Sequence, residues 1–93
     1  MKKERKHAVS VEGHENNLQG LTQEIFRMRY DQVVAFLEYA LVEINRQAEG
    51  DRARGRAQLA DLLREAADGI QKEKEIFERI WALCEPHMKG EMG

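Results

Sequence analysis

The sequence predicts an all-α fold: an antiparallel helical hairpin of two long amphipathic helices that forms a four-helix bundle by dimerisation. Three observations carry that prediction. Apolar residues recur at spacings of three and four along two stretches, the periodicity of a helix face. A single proline interrupts 93 residues, and glycine lies between the two stretches at Gly50, where a helix end is needed.

Composition narrows the classes further. Charged residues make up 34% of the chain and apolar residues 42%, with a formal net charge of −2. Nearly balanced signs argue against a protein built chiefly for nucleic acid or an anionic membrane. No apolar run approaches the roughly 20 residues that span a bilayer. The basic N-terminus is followed by no apolar stretch of the secretory type. Cys84 is the lone cysteine, so no intramolecular disulfide forms, and a cytoplasmic location is the expectation.

Residues 1–17 hold few apolar side chains and are expected to form a disordered basic tail, since they bury too little to offset ordering entropy. The hairpin domain is expected over 18–86, with a second disordered tail over 87–93. Helix 1 is predicted from about 21 to 49. Thr22 is its expected N-cap, with Leu21 and Phe26 as a hydrophobic staple, and Asn16 or Asn17 is the alternative cap one turn earlier. Phe26, Tyr30, Val33, Leu37, Ala40 and Ile44 form its apolar row, flanked by Val34, Leu41 and Phe36. That sector covers roughly 160°, wide enough for two neighbouring helices.

Gly50 is expected to close helix 1 and Asp51 to cap helix 2, predicted over 52–85, with a start nearer Arg56 as the alternative because Gly55 weakens the first turn. Leu59, Leu63, Ala66, Ile70, Phe77, Trp81 and Cys84 share one face of helix 2, with Leu62 and Ile80 beside them. Glu85-Pro86 is expected to stop it. Asp68-Gly69 is its weak point, and a continuous helix is the favoured reading there. A two-helix hairpin has too small a core to stand alone, so the apolar positions from Phe26 to Trp81 are expected to form an interface with a second copy or another helical protein.

Other candidates are weaker. Ala35, Tyr39 and Val42 form a second strip on the back of helix 1, read as scattered surface residues or as a docking strip for a partner. Arg46, Arg52, Arg54 and Arg56 gather at the turn as candidate phosphate contacts, without a nucleic-acid motif or stacking aromatics. Helical phase places Glu73 within the apolar sector of helix 2; it is read as a carboxylate that bends out to water, with a register-fixing ion pair to Arg29 as the alternative. Cys84 reads as a small core hydrophobe. All three histidines fall in the expected tails and no Glu-x-x-His motif occurs, so no metal, cofactor or catalytic site is expected. The functional expectation is a small adaptor, chaperone or regulator working through helix–helix association. The alternative is a nucleic-acid-associated factor using the arginine turn and the basic tail.

Overall fold

The computed structural model describes Gly13 and residues 17–92, with side chains described through His87. Apart from Gly13 and Asn17, the expected N-terminal tail lies outside the described residues. The fold is all-helical, with no strand among the described residues. Three helices follow in order: α1 (Leu18–Phe26), α2 (Tyr30–Ala53) and α3 (Ala57–Met92).

Helix 1 of the sequence reading is therefore two helices. The break at Arg27–Arg29 contains neither glycine nor proline, so tertiary contacts set it rather than propensity. Arg29 is extended (φ −51°, ψ 146°), and its guanidinium donates two 2.9 Å hydrogen bonds to the Asp31 carboxylate. The same guanidinium lies 5.6 Å from the centre of the Trp81 ring. The turn lets Phe26 meet Phe36 edge-on at 6.2 Å and Phe77 at 6.2 Å. Asn17, not Thr22, caps α1: its Oδ1 accepts from the Gly20 N–H at 2.9 Å. The Thr22 hydroxyl instead donates to the Leu18 carbonyl one turn back.

The α2–α3 turn also differs from expectation. Gly50 lies inside α2, which runs on to Ala53. Gly55 supplies the left-handed residue (φ +82°), the conformation glycine adopts without a Cβ penalty. The Arg56 N–H donates to the Asp51 carbonyl at 2.8 Å and the Gly55 N–H to the Arg52 carbonyl at 3.0 Å, the paired bonds of a Schellman ending. Asp51 thus belongs to the last turn of α2 and does not cap α3.

α3 passes through Asp68-Gly69 without interruption and also through Pro86, where a stop was expected. Proline removes one helical hydrogen bond, that to the Ala82 carbonyl. Pro86 is exposed, so water can serve that carbonyl. Residues 87–92 are accordingly helical, where the sequence reading placed a tail.

α2 and α3 pack along one another. Their seam buries Val33, Leu37, Leu41 and Ala48 on α2 against Ala60 and Ala67 on α3. Leu63, Ile70, Phe77 and Trp81 are half-buried beside it. The seam on α3 is thus built on small residues, whereas the sequence reading placed Leu59 and Ala66 there. Both of those are exposed. The molecule measures 52 × 30 × 16 Å with a radius of gyration of 16.9 Å, against about 12 Å for a compact domain of this length.

Candidate functional site

The two edges of the α2–α3 pair have opposite character, and helical phase explains why. At 100° per residue, Phe36 points about 100° to one side of seam residue Leu37 and Glu38 about 100° to the other. On α3, Leu59 and Asp61 flank seam residue Ala60 in the same way.

The edge carrying Glu38 and Asp61 is closed by ion pairs. Arg52 reaches Asp61 at 2.6 Å, Arg64 reaches Glu49 at 3.5 Å and Lys74 reaches Glu38 at 3.4 Å. Lys74 also holds Glu78 one turn on, at 3.1 Å. These contacts raise the Lys74 pKa, chiefly through the hydrogen bond to Glu78. The rungs meet in opposite order along the two helices, so they fix the register of α2 on α3.

The other edge has no such ladder among the described residues. Phe36 and Ala40 of α2 lie there with Leu59, Ala66, Ile70 and Phe77 of α3, and Leu62 borders them. Leu62 is 62% exposed, Leu59 44% and Phe36 37%. Burying each such side chain is worth about 1.5–3 kcal/mol when complete. The aromatic cluster of Phe26, Phe36, Tyr30 and Phe77 covers the end of this edge nearest α1, with Tyr30 and Phe77 6.0 Å apart.

The fifteen predicted interface positions therefore divide. Val33, Leu37 and Leu41 form the seam within the chain. Val34, Ile44, Leu63, Ile70, Phe77, Ile80 and Trp81 are half-buried, and Phe26, Tyr30, Phe36, Leu59 and Leu62 are exposed. Of the second strip, Tyr39 is 73% exposed and Val42 59%, while Ala35 is half-buried.

Each of the four turn arginines is engaged by a carboxylate. Arg46 is held by Glu43, whose pKa the Arg46 and Gln47 hydrogen bonds lower. Arg52 pairs with Asp61. Arg56 and Arg54 approach the buried Asp51 at 3.2 and 3.7 Å. With Gln47, Gly50, Asp51, Leu59 and Leu63, three of these arginines (Arg46, Arg54 and Arg56) line a cleft of about 680 Å³ on the apolar edge, beside the turn.

Glu73 reaches solvent, as the favoured reading had it, and the alternative Glu73–Arg29 pair is not formed. Arg29 is occupied by Asp31 and Trp81. The Arg29 hydrogen bond draws the Asp31 carboxyl below its ordinary pKa. Phase alone missed the Arg29 contacts because the α1–α2 break re-aims that side chain. Cys84 is half-buried and lines a second cleft, about 570 Å³, with Phe26, Arg27, Met28, Arg29, Tyr30 and Trp81. Among the described residues, no cluster of three His, Cys, Asp or Glu side chains is placed to hold a metal ion, and no helix is long and apolar enough to cross a membrane.

Sequence reasoning missed the Ala60–Ala67 seam. Its signal was present, since two alanines seven residues apart share a helix face, but the larger leucines beside them outweighed it. No family model, curated protein or solved structure matches the chain.

Proposed function

We propose that this chain is a non-catalytic helix–helix association module, an adaptor, chaperone or regulator, in which α2 and α3 form a hairpin whose apolar edge receives further helices. The occupant proposed for that edge is a second copy, giving a four-helix bundle. The observation that carries this reading is the contrast between the two edges: one sealed by charged rungs, the other exposing Phe36, Leu59 and Leu62.

Surface area supports it. The chain exposes 7360 Å², against about 5,500 Å² for a compact monomer of its mass. The surplus is roughly 1,800 Å² by that scaling. A standard interface buries about 800 Å² per partner, which lies within that surplus. A two-fold pairing suits the apolar edge because the same patch serves both copies.

Sedimentation equilibrium from about 1 to 100 μM tests the reading, with Leu62→Asp as the probe. Leu62 is mostly exposed within one chain, so the substitution leaves the seam intact while placing a charge in the shared face. Wild type should associate, and Leu62→Asp should be monomeric with unchanged helicity. A monomeric wild type across that range overturns the self-association reading.

A further inference from the structure

We infer that α1 is an exchanged arm, which seats in the arginine-rimmed cleft of a second copy. This inference rests on the self-association reading and adds a specific contact to it.

α1 does not account for its own stability. It has nine residues and no buried side chain, whereas isolated helices shorter than about 12–15 residues are marginal in water. Leu18, Leu21 and Ile25 line one of its faces at spacings of three and four, and Leu18 remains 65% exposed. Leu21 and Ile25 are half-buried, and the Phe26 end is anchored against Phe36 and Phe77 on the apolar edge. Whatever covers that edge must therefore meet α1.

The cleft beside the α2–α3 turn has the complementary chemistry. Leu59 and Leu63 offer it apolar groups, and Arg46, Arg54 and Arg56 supply positive charge in excess of Asp51, the one carboxylate in its lining. Arg54 is the least committed of the three, 3.7 Å from Asp51 with its side chain 64% exposed. α1 carries one formal charge, Glu24, which has no ion pair among the described residues. An apolar row with a single carboxylate beside it fits a cleft that sets two leucines beside three arginines and one carboxylate.

Geometry decides whose cleft it is. Glu24 lies within one turn of Phe26, which is fixed at the level of Phe36. Arg54 is 18 residues further along α2, about 27 Å at 1.5 Å per residue. Glu24 cannot reach the Arg54 of its own chain from there. In a two-fold pairing that runs the two copies in opposite directions along the shared edge, the α1 end of each lies beside the turn end of the other. Glu24 then meets the partner's cleft.

A charge-swap cycle tests the contact because coupling between Glu24 and Arg54 reports only an intermolecular approach. Glu24→Arg and Arg54→Glu are each expected to weaken association about 3- to 10-fold, the scale of an exposed ion pair counted twice in a symmetric dimer. The double variant should return to within about twofold of wild type. Because Arg54→Glu also places a carboxylate near Asp51, the cycle is repeated with Glu24→Ala and Arg54→Ala, and circular dichroism checks that each chain keeps its helicity. Effects that multiply in both cycles, or an association constant that ignores all the variants, overturn the exchanged arm while leaving self-association standing. A monomeric wild type overturns both.

Discussion

Neighbouring alanines in the middle of α3 allow a sharp test of which face of that helix meets α2. Ala67 is 4% exposed and sits in the seam, whereas Ala66, one residue earlier, is exposed. Leucine at either position adds the same three carbons, and Ala and Leu differ little in helix propensity. Packing alone therefore separates the two variants. At Ala67 the added volume must push α2 and α3 apart or force strained rotamers, at a cost of about 1–3 kcal/mol. For a domain of this size that lowers Tm by roughly 5–20 °C, taking about 4–8 °C per kcal/mol. Ala66→Leu should stay within about 0.5 kcal/mol in the single chain, and it adds apolar surface to the open edge. Thermal melts followed by circular dichroism over a tenfold concentration range measure both, because a gain through association shows as a concentration-dependent Tm. Equal losses at the two positions, or a larger loss at Ala66, would refute the small-residue seam.

Glycine exchanges probe the turn in the same spirit. Gly55→Ala should cost about 1–2 kcal/mol because its φ of +82° is unfavourable for any residue with a Cβ, whereas Gly50→Ala should stabilise by up to about 1 kcal/mol as a helix-interior replacement. The nearest obstacle to a Cβ at Gly50 is the flexible end of Arg54, at 3.3 Å; urea unfolding of both variants checks the opposite signs. Acid should weaken the fold through Asp31 and Glu43, whose pKa values are lowered by hydrogen bonds from Arg29 and Arg46. Depressed pKa values mean that this contribution is present above the ordinary carboxylate range and lost as pH falls through about 4 and below. Urea midpoints measured from pH 7 to pH 3 should fall, and Asp31→Asn combined with Glu43→Gln should flatten that dependence.

Much of the helical content was legible because a period of three to four residues survives any tertiary arrangement. Spacing alone placed Val33 and Leu37 on the apolar row and Leu41 on its flank, and the structure buries all three. The ends of elements were less legible. Gly50 and Gly55 lie at or near the α2–α3 turn and Pro86 towards the end of α3, and local rules do not say which of the two glycines takes the left-handed conformation. The paired bonds from Gly55 and Arg56 back to α2 decide it. The α1–α2 break was invisible because Phe-Arg-Met-Arg carries no breaker, and the Phe26 contacts to Phe36 and Phe77 act only once α2 and α3 are in place. Similarly, the charges at Glu38, Glu49, Asp61, Arg64 and Lys74 read as ordinary solvated positions until register pairs them across one edge. The pairing of the turn arginines was hidden for the same reason: their carboxylate partners at Glu43, Asp51 and Asp61 are near neighbours whose side-chain directions sequence alone does not fix.

The ladder along one edge also gives this molecule a two-sided response to its ionic surroundings. Dissolved salt at a few tenths molar shortens the reach of charge–charge attraction to less than about 8 Å, which loosens the exposed rungs Arg52–Asp61 and Arg64–Glu49. Sulfate or phosphate, excluded from protein surface, strengthens burial of the apolar edge at the same time. Chloride and sulfate matched in ionic strength therefore act alike on the rungs and differently on the leucines. A chain of 93 residues divided in this way keeps its helices aligned with one set of forces and leaves the opposite face under the control of another.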